Sequence, residues 1–425
     1  MREPDFAWRS FYTWDHSTNW DLTQPGARRG GCHESYNKPP AAFVEDYRRL
    51  LDTMAEIGMN HLIIWGALRD SHGGVDALRR VIELGLERGV LVAPGVGVGC
   101  YGGVYYDGEH QFSLVRLLRD RPELAAVDGE GRPRLGGGDP RRSVACLRSG
   151  EAWDWTVRSI AWLMERVEPP AVHFETGDYG VCACERCLAA GRRDVRASDD
   201  DLAELLPPLV EEIHGRDPDC LISYNHYTGY TRAMAEEPPA FVRTIPAEVV
   251  CKWGVSWMLE PDCGPDDLAT WGEVEPMTPE VRPPTPASMA HLHFATGWWG
   301  CSKRGTLEVA RFFRAFPLMR EVGFQGVCTH GEESVLDPAS ELNYHVFAAL
   351  AQNAHATPEE IARRSVGALY GGTDLAAEAL TAFCDGSVPW NLPARVAAAV
   401  PDGGQERVRL LWLTFELQRL AERTR

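Results

Sequence analysis

Short apolar runs rich in Val, Ile and Leu alternate with longer amphipathic segments through most of this chain, and that rhythm leaves few folds open. Such alternation is the pattern of βα units, whose strands lie parallel because each crossover carries a helix. Eight runs can be counted: Ala7–Trp14, His61–Trp65, Val90–Pro94, Ala171–Glu175, Leu221–Asn225, Val249–Trp253, Met289–Phe294 and Phe324–Cys328. Between them, Phe43, Val44, Tyr47, Leu50, Leu51, Met54 and Ile57 recur at helical spacing, and Gly58 is placed to end that helix. Further helices are expected over Val75–Arg88, Ala152–Val167, a segment carrying Leu307, Ala310, Phe313 and Phe316, and one from Ala339 past Phe347. Every strand but the sixth is followed by a helical segment. The expectation is an α/β fold, a (β/α)8 TIM barrel over 1–372 with a C-terminal helical extension over 373–425 packed on it. In that extension Leu410, Leu413, Leu417 and Leu420 form a stripe expected to pack against the barrel.

The chain has 425 residues and a net charge of −18, with no N-terminal apolar leader and no run long enough to span a membrane. Nucleic acid and anionic membrane surfaces are therefore poor partners, since both are bound through Lys and Arg. A cytoplasmic setting with mostly reduced thiols is expected from the twelve cysteines and the missing export signal. A homo-oligomer is compatible with everything in the sequence.

In a barrel of this kind the chemistry sits at the C-terminal ends of the strands. Polar and aromatic residues do follow each apolar run. They are Trp14, Asp15 and His16 after the first; Trp65, Arg69, Asp70 and His72 after the second; and Tyr101 in the long Gly/Pro-rich excursion after the third. Glu175 and Asp178 follow the fourth, Asn225 and His226 the fifth, Lys252 and Trp253 the sixth, His293 and Trp298 the seventh, and Glu332 and Glu333 the eighth. Aromatic faces and polar groups converging on one mouth suit a sugar, with rings stacking on its CH face and polar groups bonding its hydroxyls.

Glycosidic cleavage usually takes two carboxyl groups. Glu175 and Asp178 are candidates for the acid, and Glu332 and Glu333 for the second group. A structural reading stands beside each: Glu175 could pair with Arg69 or Lys252, and Glu332 and Glu333 could serve a helix N-terminus. The seventh strand ends without a carboxylate, which leaves inversion or help from a substrate acetamido group.

Cys182, Cys184 and Cys187 lie close enough to share a structural Zn2+, with Cys146, Cys32 or a histidine as fourth ligand. Catalysis itself requires no cofactor on this reading. Two other classes compete with a glycosidase. One is a metal-dependent barrel hydrolase or lyase using His16, His72, His226, His291, His293 and His330. The other is a carbohydrate-binding protein without turnover.

The segment His173-Phe174-Glu175-Thr176-Gly177-Asp178, followed by Cys-x-Cys-x-x-Cys, resembles uncharacterised bacterial glycoside-hydrolase-like barrel proteins near glycoside hydrolase family 20 and the α-glucuronidase-like groups. Trp14–Trp20, Trp65–His72 and the stretch from Glu341 to Gly371 look like motifs of the same group. In family 20 a His-x-Gly-Gly-Asp-Glu motif ends strand four, and its Glu is the acid. Over that motif His173 matches the His and Asp178 takes the acid's place. Glu175 and Thr176 stand for the glycines, and Gly177 for the Asp that orients an acetamido group. The resemblance thus implies a barrel glycosidase while removing the feature that selects an N-acetylhexosamine.

Overall fold

The structure is a computed structural model. It describes residues 3–18, 20, 38–176, 182–191, 197–226, 229–259, 275–293, 306–401 and 403–423, with the side chains of 16, 197–203 and 422–423 left out. Eight strands, β1 (Trp8–Trp14), β2 (His61–Trp65), β3 (Leu91–Gly97), β4 (Ala171–Glu175), β5 (Leu221–His226), β6 (Val250–Gly254), β7 (Ser288–Leu292) and β8 (Gly326–His330), pair in parallel in chain order. β8 closes the ring on β1 with His330 opposite Tyr12. This is the (β/α)8 barrel expected from the sequence.

The longer helices wrap it: α1 (Pro40–Ile57), α2 (Gly74–Glu87), α3 (Gly150–Arg166), α4 (Ala197–His214), α5 (Val309–Val322) and α6 (Pro338–Gln352). α1 buries Phe43, Tyr47, Leu50, Leu51, Met54 and Ile57 on one face, as its spacing requires, and Gly58 stops it at φ 82°. A side chain there would carry the strain of left-handed backbone.

Because successive strand residues face opposite ways, each strand splits its side chains between two cores. Phe11, Leu62, Ile64, Val92, Phe174, Ile222, Tyr224, Ala290, Leu292 and Val327 face the helices. Tyr12, Trp14, Ile63, Trp65, Ala93, Ala171, Val250, Met289 and Cys328 fill the ring itself.

Several boundaries differ from the sequence reading. In β5 and β8 the apolar run ends before the strand does, since the upper layer of the ring is polar there. β8 runs on through Thr329 and His330, and β5 includes His226. β3 continues through Gly95 and Gly97, where a Cβ on Gly95 would lie 2.6 Å from the Trp65 ring. A glycine inside a strand marks such a close approach.

α5 packs through Val309, Phe312, Ala315, Phe316 and Met319, one residue out of phase with the expected Ala310 and Phe313. After β6 the described residues form the single turn Ser256–Leu259. The C-terminal region forms α7 (Thr373–Asp385), α8 (Leu392–Ala399) and α9 (Gln405–Arg423). Here the stripe expectation fails. Leu410, Leu413, Leu417 and Leu420 are 46 % to 59 % exposed, while Val408, Leu411, Trp412 and Phe415 are buried. α9 carries two apolar stripes, and the one with more aromatic surface, where Trp412 and Phe415 meet Phe383, takes the core. Among the described residues no helix is long and apolar enough to cross a membrane.

Candidate functional site

The inward positions near the strand ends hold the polar residues. Glu175, the last residue of β4, is fully buried. Its Oε2 accepts from Asn225 Nδ2 of β5 at 3.0 Å and from the Tyr12 hydroxyl of β1 at 3.4 Å, with His173 Nε2 at 3.8 Å. Lys252 does not make the close pair with Glu175 that was weighed from the sequence. Its Nζ lies 3.2 Å from His291 Nδ1 and 3.9 Å from the centre of the Tyr12 ring. Burial pushes the Lys252 ammonium down, although Cys328 and Glu175 act the other way. Burial also holds His173 well below the ordinary imidazole value, so it sits in the ring uncharged and bonded to Ser223 at 2.7 Å.

Trp14, Trp65 and Tyr101 form one wall. The two indoles stack at 5.3 Å and 25°, and Tyr101 meets both edge-on at 5.2 and 5.5 Å. Tyr101 holds a left-handed φ of 44°, unusual for a residue with a side chain. Trp65 Nε1 and Thr176 Oγ1 are buried without a hydrogen-bond partner among the described residues. Buried donors are normally satisfied, so these two ask for an acceptor from a ligand or water.

Asp15 lies in different company. Lys38 Nζ is 3.1 Å from its Oδ1, His72 Nδ1 is 2.7 Å from Oδ2 and Arg69 Nε is 3.9 Å away. Lys38 also binds Asp46 of α1 at 2.6 Å. Burial would raise the Asp15 carboxyl. Lys38, His72 and Arg69 outweigh it and hold the group well below the usual carboxylate range. His72 stacks on Phe43. Asp15, Arg69 and His72 thus belong to a charged clasp joining the β1 and β2 ends to α1.

The remaining positions scatter. His226 and Trp253 point away from the ring: His226 stacks on Phe241 and Trp253 bonds Thr285. Both sit at odd phase relative to the inward Asn225 and Lys252. Asp70 is exposed and accepts from the Tyr105 hydroxyl and the Glu109 amide. Glu332 accepts from the Trp14 amide at 2.9 Å, which places it at the β1–β8 rim. Glu333 accepts from Ser340 in the first turn of α6. His293 lies just beyond β7 on the inward side, stacked on Trp257. Asp178, Trp298 and Cys32 lie outside the described residues, as does the side chain of His16.

Sequence reading passed over Tyr12, although it touches Glu175, Lys252 and three imidazoles. The signal was present: Trp8, Ser10, Tyr12 and Trp14 share one face of β1 by the period of two.

Cys182, Cys184 and Cys187 meet Cys146 from the long excursion after β3, all four sulfurs within 4.8 Å of one another. Cys146 Sγ is 3.8 Å from Cys184 and 3.7 Å from Cys187, and the Val127 amide donates to Cys182.

No protein-family model matches the chain, and no curated protein does. Solved structures do. One is a glycoside hydrolase family 138 enzyme targeting pectin rhamnogalacturonan II, with TM-score 0.51 and 12% identity over 96% of this chain and 44% of that one. Another is an O-GlcNAc hydrolase from Thermobaculum terrenum, with TM-score 0.51 and 10% identity over 99% of this chain and 77% of that one. The chain spans less than half the length of the family 138 enzyme. At such identities the likeness is one of fold.

Proposed function

We propose that the chain is a glycoside hydrolase that cleaves a glycosidic bond in a small glycoside or oligosaccharide by carboxylate chemistry. The observation that carries the reading is Glu175: a buried carboxylate at the end of β4 that accepts from Asn225 and Tyr12 beside an aromatic wall. A carboxyl group buried at a strand end beside aromatic rings is of the kind that can give or take a proton. Asn225 and Tyr12 orient it. Trp65 Nε1 and Thr176 Oγ1 offer donors to sugar hydroxyls. The partner carboxylate is Asp178 or Glu332, and their separation from Glu175 decides between retention and inversion. The barrel fold shared with glycoside hydrolases supports this reading at the level of architecture.

A panel of aryl glycosides tests it. The wild-type chain should release the phenol from at least one member, and Glu175→Gln should not. Sugar binding with no turnover on any member would favour a carbohydrate-binding protein instead.

The four cysteines are proposed to hold a structural Zn2+. A tetrahedral site with Zn–S near 2.3 Å puts its sulfurs about 3.8 Å apart, which is the spacing of Cys146 to Cys184 and Cys187. The ion would tie the excursion after β3 to the loop after β4. Cys146→Ser and Cys184→Ser should each lose one zinc by elemental analysis and melt earlier. Unchanged zinc content in both would remove the site.

A further inference from the structure

We infer that His291, His293 and His330 form a second metal centre, a three-imidazole site for a divalent ion of the zinc class at the ends of β7 and β8. The register brings them together. His291 pairs with Cys328 across β7 and β8. The period of two then sets His293 beside His330 and turns all three rings inward. Ring centroids are 4.2 Å apart for His291 and His293, 5.2 Å for His291 and His330, and 5.6 Å for His293 and His330. One nitrogen from each lies within 4.8 Å of the others. In a tetrahedral site with metal–nitrogen bonds near 2.0 Å the nitrogens stand roughly 3.3 Å apart, so modest ring rotations complete the site.

The surroundings fit the donor set. All three rings are buried, and buried imidazoles gathered at one point are a common donor set for such ions. His291 Nε2 has no hydrogen-bond partner among the described residues. The other nitrogen of His291 faces Lys252 Nζ at 3.2 Å. Lys252 is thus the outer partner that fixes the orientation of the His291 ring. Three protein ligands leave the fourth position to water or a substrate oxygen, as in catalytic rather than structural zinc sites. This goes beyond the proposed glycosidase: Glu175 can act with or without the ion.

The test is metal stoichiometry on the full chain, which reads nothing of turnover. Protein stripped with chelator and reloaded with Zn2+ should hold about two ions, one in each centre. His291→Ala and His330→Ala should each lose one. Reloading Cys146→Ser/Cys184→Ser protein with Co2+ isolates the imidazole centre. It should give visible d–d absorption without a thiolate charge-transfer band, and that absorption should vanish when His330→Ala is added. Circular dichroism on each variant separates loss of metal from loss of fold, and His293→Asn gives a milder second probe. No cobalt absorption in a folded cysteine variant, or zinc content unaltered in folded His291→Ala, overturns the inference. Absence of glycosidase activity with both ions bound would leave it standing and defeat the glycosidase reading alone.

Discussion

Two carboxylates at strand ends, Asp15 after β1 and Glu175 on β4, are equally deep and differently partnered. Both are fully buried. Asp15 is clasped by Lys38, His72 and Arg69, and its charge is fixed. Glu175 is held by an amide and a phenol. The lesson is that burial alone does not mark a catalytic acid. A carboxylate pinned by cations has its protonation state decided by the fold. Glu175, whose described hydrogen bonds come from Asn225 and Tyr12, is the one we propose for the chemistry.

The contrast can be broken most directly by removing each charge in turn. Glu175→Gln should lower turnover by roughly 10²–10⁴-fold with a melting temperature close to wild type. Asp15→Asn should do the reverse. Breaking a buried pair costs roughly 3–5 kcal/mol, read as a lower urea midpoint, while the folded fraction keeps its kcat. An Asp15→Asn protein that is stable but inactive would exchange the two roles.

Acid sharpens the same contrast. Asp15 has a depressed folded pKa, so the stability it contributes is full above about pH 4 and is lost as pH falls toward the folded value. His61 is buried and bonded to Ser10, and burial, with His173 and Lys252 nearby, pushes it down to about 3. It binds its proton more readily when unfolded. Stability linked to it is therefore full above about pH 6.5 and drains as pH drops from there toward about 3. The urea midpoint should start to fall near pH 6.5 and steepen below about 4. Asp15→Asn should flatten only the lower part, and His61→Gln part of the upper. A profile unaltered by either variant would show that neither group is held as described.

Gly95→Ala gives the smallest effect. Its Cβ would press on the Trp65 ring, costing about 1–3 kcal/mol by overpacking. Because it shifts the aromatic wall, KM should rise more than kcat falls. A larger loss in kcat would mean that Trp65 helps align Glu175 and does more than hold substrate.

The fold was legible because the lower parts of the strands are runs such as Leu62-Ile63-Ile64 and Val90–Ala93, and because Gly58 ends a helix with a clear apolar face. The site was half legible. Glu175 could be picked out because it ends an apolar run. Asp15 looked the same, since the cation beside it, Lys38, comes from 23 residues further along the chain. Tyr12 was hidden because it lies inside the apolar run from which β1 is read, while His330 was picked out only as one of six scattered histidines. On α9 two stripes competed, and linear spacing does not say which one has the greater ring area against Phe383.

β8 seals the ring on β1 by setting His330 opposite Tyr12. The ribosome makes β1 first and its second neighbour almost last, so the nascent first strand has one flank unpaired for most of translation. Tyr12 bonds Glu175 and also packs on His291 and His330, so the chamber proposed for catalysis comes into being only with that final docking. Chains cut short before β8 are therefore expected to be inert, however much of the earlier barrel they have assembled.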